Sequence, residues 1–225
     1  MKYLFNLILV IILLYFNSFA QIEIIEETGV SIYKDIENIN QKIKNNPYDV
    51  DLLNIRANLF LKINDYENAL NDIEDGLNIN PQNDKLYYSQ TVIFMKRKKY
   101  DSALESANNA IKISRTEKNY FLRSNVFYAR GDVREAILDL NQILKINPNA
   151  DYVYLQKAFW CNDINMFYEE IKNYLYYIKI STDRINITQV KKRLKKIKKT
   201  DKYYANLYRA AKKDINKNGY PFNKK

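Results

Sequence analysis

Asp72, Glu74 and Asp75 crowd three carboxylates into the four residues "DIED", the densest acidic cluster of the chain. Neighbouring carboxylates can divide acid and base roles when their surroundings push their pKa values apart. Such chemistry needs partners, and the sequence supplies none. The 225 residues contain no His, which removes the commonest general base and the commonest metal ligand together. Cys161 is the single thiol, too few for a disulfide framework or a cysteine zinc site. Four glycines leave no loop rich enough to cradle a phosphate. The cluster is therefore expected on the solvated outer face of a helix, and no enzyme, cofactor or metal is expected.

The other candidate chemistry is electrostatic. The net charge of +10 conceals a split: residues 21–180 carry 20 Lys/Arg against 23 Asp/Glu, whereas residues 181–225 carry 15 against 3. The basic excess concentrates in "TQVKKRLKKIKKTDK", read as a helix opening at Thr188. There Lys191, Lys192, Arg193, Lys195, Lys196, Lys198 and Lys199 surround an apolar stripe of Val190, Leu194 and Ile197. Two readings stand. The stripe can seal the end of whatever precedes it while the charges face water. Alternatively, the segment attaches the protein to an anionic membrane or polysaccharide surface, each basic side chain contributing about 1 kcal/mol.

Positioning falls to helices, because four Gly and four Pro leave few tight turns. One phrase recurs. "NDYENALNDIEDGLNINP" (64–81) returns as "KKYDSALESANNAIKISR" (98–115) and "GDVREAILDLNQILKINP" (131–148). Its small residue falls at Ala69, Ala103 and Ala136, steps of 34 and 33. An upstream aromatic keeps the same steps at Phe60, Phe94 and Phe127, as does the set Leu53, Tyr87 and Tyr120. A small residue at a helix crossing lets two helices approach closely, and a large one between adjacent pairs fills the remaining space. Asn80-Pro81 and Asn147-Pro148 stop the second helices. One helix pair cannot bury its apolar face alone, and stacked copies can.

This pattern resembles the tetratricopeptide repeat (TPR) family, whose repeat is two antiparallel helices in 34 residues. Asp65-Tyr66, Ala69, Ile73, Gly76 and Pro81 carry the second-helix marks, and Gly131-Asp132, Ala136, Leu140, Ile143 and Pro148 carry them again. The first helices depart from the family's wording: Leu53, Tyr87 and Tyr120 stand at its Trp position and Ala57, Thr91 and Ser124 at its Gly position. Arg56, Gln90 and Arg123 replace its Leu. The resemblance implies an all-α helix–turn–helix repeat solenoid with three clear TPR units over 50–148. A degenerate fourth helix pair follows over 149–180, with Glu170 in the small residue's place and Cys161, read as a buried structural thiol, in the aromatic's. Residues 21–49 form a leading segment with a capping helix, Ile32 to Asn45. Residues 181–225 form the basic helical segment, with a last helix over Tyr203 to Lys213 and a loose tail.

In the family the first helices line a concave groove that takes extended peptides or helices. Carried over by position, the groove here shows Asn54, Asn58, Leu61 and Lys62, then Tyr88, Val92, Met95 and Lys96, then Phe121, Asn125 and Tyr128. The resemblance thus implies a non-catalytic scaffold for a protein or peptide partner. The amides would bond a peptide backbone and the aromatics would offer apolar area; the same residues could instead coat a solvated face. The basic carboxylate clamp of some members is not reproduced: Asn58 and Lys118 fit it, whereas Asn54, Ser89 and Leu122 do not.

At the start, Lys2 precedes a 13-residue apolar run, Leu4 to Phe16, shorter than the roughly 20 residues of a spanning helix. Ser18-Phe19-Ala20 then presents small residues at both positions that a signal peptidase inspects. A cleavable signal peptide over 1–20, cut before Gln21, is expected, giving a periplasmic or secreted chain. The alternative is an uncleaved N-terminal anchor. Export disfavours nucleic acid as a partner, although the basic segment would attract it. A basic segment folding onto the acidic repeats of another copy would give self-association.

Overall fold

The computed structural model describes residues 31–219. The expected signal peptide and cleavage point, the first part of the leading segment and the tail beyond Gly219 lie outside the described residues. A helix whose described part is 31–45 (α1) leads. Helix–turn–helix repeats follow in chain order: α2 (Val50–Lys62) and α3 (Tyr66–Ile79), α4 (Asp84–Lys96) and α5 (Tyr100–Ile113), α6 (Glu117–Arg130) and α7 (Val133–Ile146). Next come α8 (Asp151–Asp163) with α9 (Phe167–Ile180), then α10 (Arg184–Thr200) with α11 (Lys202–Asn218). The fold is all-α, built of helix–turn–helix repeats of the TPR solenoid class.

First helices begin at Val50, Asp84, Glu117, Asp151 and Arg184. The repeat step therefore runs on through α10, and the basic segment is a fifth helix pair. Its first helix opens at Arg184 and not at Thr188, because Asp183 caps it: Oδ1 accepts from the N–H groups of Ile185 and Asn186, both at 3.0 Å. The last helix runs past the expected Lys213 to Asn218, so residues 216–218 are helical and not tail.

The turns inside the first four pairs are built alike. Asn64, Lys98, Gly131 and Asn165 take φ of 60°, 57°, 99° and 58°. From the next residue an N–H reaches back five positions: Asp65 to Phe60, Lys99 to Phe94, Asp132 to Phe127 and Met166 to Cys161, at 2.8–2.9 Å. This left-handed closure satisfies carbonyls that a helix end leaves open. Of the four residues, Gly131 alone adopts it without a Cβ penalty.

The described residues fall into two compact units divided after Ile93, within α4. In the first, Ile36 and Ile39 of α1 pack with Leu59, while Ala57, Ala69, Ile73, Leu86 and Ile93 form a second cluster. Gly76 makes room for Leu86: a Cβ there would lie 2.7 Å from Leu86 Cδ1. The second unit has one large cluster. It joins Ala136, Leu140 and Ile143 of α7 and Val153, Tyr154 and Ala158 of α8 to Ile171, Tyr174, Tyr176 and Tyr177 of α9. Val190, Leu194 and Ile197 of α10 and Ala211 and Ile215 of α11 complete it, so the apolar stripe of the basic segment is core. No described helix is long and apolar enough to cross a membrane.

Candidate partner-binding surface

The acidic cluster at 72–75 is not the solvated patch expected. Glu74 and Asp75 are exposed, but Asp72 is 3% exposed and accepts two hydrogen bonds from Arg56, Nη2 to Oδ1 at 2.6 Å and Nε to Oδ2 at 2.9 Å. Burial pushes the Asp72 carboxyl above its ordinary value, and Arg56 pulls it partly back. The same fork recurs between Arg123 and Asp139, at 2.7 and 2.8 Å. These arginines stand at the family's Leu position, so an apolar contact between paired helices is replaced by a charged, bidentate one. The pairs keep both the repeat step and a 16-residue separation, a signal that was present in the sequence.

In the first unit, Asn58 Nδ2 donates to Asn54 O at 2.7 Å and to Ser89 Oγ at 3.2 Å, while Ser89 Oγ donates to Asn54 Oδ1 at 2.8 Å. The Asn58 amide is thus spent within the fold and not held out to a peptide. Leu61, Tyr88 and Val92 are half-buried beside the exposed Lys62. Burial raises the Tyr88 phenol above its ordinary value.

In the second unit, Met95 is half-buried and Lys96 exposed. Phe121 meets Tyr152 edge-on at 5.5 Å, and Asn125 Nδ2 donates to Phe121 O at 2.9 Å. Tyr128 stacks on Trp160 at 4.8 Å and donates its hydroxyl to Asp163 Oδ2 at 2.7 Å. One repeat step beyond Phe121, Asn125 and Tyr128 stand Leu155, Phe159 and Asn162, which sequence reasoning missed although the period alone points to them. They line a cavity of about 380 Å³ completed by Tyr174 of α9 and by Asn186, Gln189, Val190 and Arg193 of α10. Phe159 is 51% exposed there and meets Tyr174 edge-on at 6.1 Å.

The seven basic residues singled out on α10, 191–193, 195, 196, 198 and 199, divide into two groups. Arg193 donates from Nε and Nη2 to Glu170 Oε1 at 3.2 and 3.0 Å, and from Nη2 to Asn162 Oδ1 at 3.0 Å. Glu170, 1% exposed, is pushed up by burial and drawn back by Arg193. Arg193 therefore holds the fold. Lys191, Lys192, Lys195, Lys196, Lys198 and Lys199 are exposed, and Lys198 Nζ lies 5.5 Å over the Tyr208 ring. Cys161 is buried, its thiol pushed up to about 11 by that burial. Among the described residues no group of three His, Cys, Asp or Glu side chains is placed to hold a metal ion.

Residues 20–220 match the ChAPs, the Chs5p-Arf1p-binding proteins. The chain belongs to the ChAPs family. Solved structures that share its fold include YrrB and MamA. YrrB, described as a TPR protein with an unusual peptide-binding site, superposes with a TM-score of 0.60 at 16% identity, over 82% of this chain and 95% of its own. MamA superposes with 0.61 at 14% identity, over 71% of this chain and 88% of its own. Among curated proteins, serine/threonine-protein phosphatase 5 of Rattus norvegicus is 31% identical over 98 residues, and that of Mus musculus matches to the same extent. The match covers 43% of this ChAPs chain and 20% of the phosphatase, so the chain spans about a fifth of the length of the curated relatives it matches.

Proposed function

We propose that this ChAPs-family chain is an exported, non-catalytic scaffold that holds a protein or peptide partner along the first helices of its repeats. The observation that carries the reading is the cavity between α8 and α10. Leu155, Phe159 and Val190 give it apolar walls, and Asn162, Asn186 and Gln189 add a few polar groups able to fix an orientation. Its α8 residues continue the register of Phe121, Asn125 and Tyr128. The family's description as Chs5p-Arf1p-binding proteins and the peptide-binding site of YrrB support protein recognition as the task. The absence of His supports a non-catalytic role. Export rests on Lys2, the apolar run and Ser18-Phe19-Ala20.

Because α10 and α11 belong to the core, the bait must be the whole chain 21–225 and not a version truncated at Ile180. Immobilised parent, Phe159→Ser and Phe121→Ala chains would be offered a native cell-envelope extract. A discrete set of proteins held by the parent and lost from Phe159→Ser supports the reading. Equal capture by all three refutes it. The mass of the cellular protein tests export: it should begin at Gln21, and a chain retaining residues 1–20 overturns the cleavage.

The six exposed lysines of α10 favour a second reading, peripheral attachment to an anionic membrane or polysaccharide surface. Vesicles containing phosphatidylserine should sediment the parent and release it as salt rises. A Lys191→Glu, Lys192→Glu, Lys195→Glu, Lys196→Glu variant should not sediment, and retention of that variant would sink this reading.

A further inference from the structure

The Arg56–Asp72 and Arg123–Asp139 pairs have a counterpart in the fourth repeat that lacks its acid. By repeat step, Lys157 stands where Arg123 does and Asn173 where Asp139 does. One half of the arrangement survives. Lys157 Nζ donates to Asn141 Oδ1 at 2.7 Å, as Arg123 Nη1 donates to Asn108 Oδ1 at 2.8 Å and Arg56 Nη1 to Asn40 Oδ1 at 2.9 Å. The other half is gone. Asn173 turns its Nδ2 onto the Glu169 carbonyl of its own helix at 2.7 Å, and among the described residues no carboxylate ion-pairs with Lys157.

Lys157 is only 9% exposed, and burial lowers its pKa. A buried ammonium with no ion-paired carboxylate is costly, and Glu169, which also lines the site, offsets the effect of burial only in part. Yet Lys157 lines a cavity of about 380 Å³, together with Asn141, Lys145, Glu169, Lys172 and Asn173. Three ammonium groups meet one carboxylate on these walls. Lys172 is held by Asp214 of α11 at 2.7 Å, and Lys145 donates to Gln142 Oε1 at 3.3 Å. The cavity shares no lining residue with the one between α8 and α10, so it stands apart from the scaffold reading.

We propose that this cavity binds a small carboxylate, which takes beside Lys157 the place that Asp72 and Asp139 hold in their own repeats. The volume accommodates a short dicarboxylate, whose second charge falls toward Lys145 and Lys172. The internal comparison is what carries the assignment: the same chain shows twice what belongs opposite the cation, and shows the cation buried without it.

The test is isothermal titration and thermal unfolding of the chain 21–225 with succinate at fixed ionic strength. The parent should bind saturably and unfold at a higher temperature as succinate rises. Asn173→Asp brings its own carboxylate to the site; it should unfold at a higher temperature than the parent without ligand and bind succinate at least about tenfold more weakly. Lys157→Met should lose the succinate response. No saturable response in the parent overturns the proposal. So does an equal response in Asn173→Asp, which would place the anion on exposed lysines such as those of α10.

Discussion

Replacing Arg56 by Met would strand the Asp72 carboxylate inside the first unit. The Asp72 side chain is 5% exposed and the Arg56 side chain 22%. The substitution deletes both bonds to the carboxylate and the bond to Asn40, while Met keeps an apolar stem beside Phe60, whose ring centre lies 6.0 Å from the guanidinium carbon. Breaking a buried ion pair from one side costs about 3–5 kcal/mol. Solvent reaches the guanidinium, which screens the pair, so about 2–3 kcal/mol is the expected loss at neutral pH. Arg56→Met with Asp72→Leu should recover most of it, because an apolar replacement of a whole pair is often neutral or stabilising. The pH dependence has a definite sign. Asp72 already titrates above its ordinary value of 3.8, and Arg56 is what holds it down, so its loss raises the folded value further. A carboxyl with a raised folded pKa adds stability that is complete below the ordinary value and lost as pH rises through the folded one. The deficit of the single variant should therefore shrink on acidification from neutrality toward 3.8. Urea unfolding followed by helical circular dichroism measures all three quantities. A deficit under about 1 kcal/mol, a double variant as unstable as the single, or a deficit that grows on acidification would refute the buried-charge reasoning.

Three further outcomes are expected. Lys98→Gly relieves a left-handed residue at φ 57° and should stabilise the chain by about 0.5–1 kcal/mol, read as a higher melting temperature; a lower one contradicts the turn argument. Gly76→Ala sets a Cβ against the fully buried Leu86, and overpacking of about 1–3 kcal/mol should outweigh about 1 kcal/mol of gained helix propensity. Adding Leu86→Val should relieve that loss, and a more stable single variant would show that Leu86 can yield. Cys161, buried with its thiol near 11, should react with a thiol reagent far more slowly in the folded chain than in urea, and equal rates would show that it is accessible.

The repeat register was legible because its marks are local. Ala69, Ala103 and Ala136 are fully buried at helix crossings, and Phe60, Phe94 and Phe127 each accept the N–H that closes a turn five residues later. Their spacing alone reports the pairing of helices. The role of Asp72 was not legible from its own helix, where charged neighbours read as a wet face; its partner sits 16 residues earlier on a different helix. The fifth pair hid for another reason. It has Tyr203 and Tyr204 where the period would set the small residue and no left-handed turn, and Asp201 alone both ends α10 and caps α11. Only the step from Asp151 to Arg184 betrays it. Asn54 and Asn58 lie on α2 and Asn125 on α6, but Ser89, which engages the Asn58 amide, comes from the next repeat.

The tethering of α9 to α11 bears on how the protein is made. Tyr168 and Lys172 both bond Asp214, and the Tyr176 hydroxyl donates to Gly219 O at 3.2 Å. Tyr174, Tyr176 and Tyr177 lie in the cluster that α10 and α11 complete. During synthesis α9 leaves the ribosome before those covering helices, and although α8 already packs against Tyr174 and Tyr176, the face that α10 and α11 cover stays open until the latest-made of the described helices arrives. The second unit therefore matures after translation of this stretch and not during it, an interval in which exposed apolar surface invites aggregation. A chain destined to be threaded through a translocon gains from that delay, since it stays loose while it must. A chain retained where it was made would need a holdase to shelter it for the same interval.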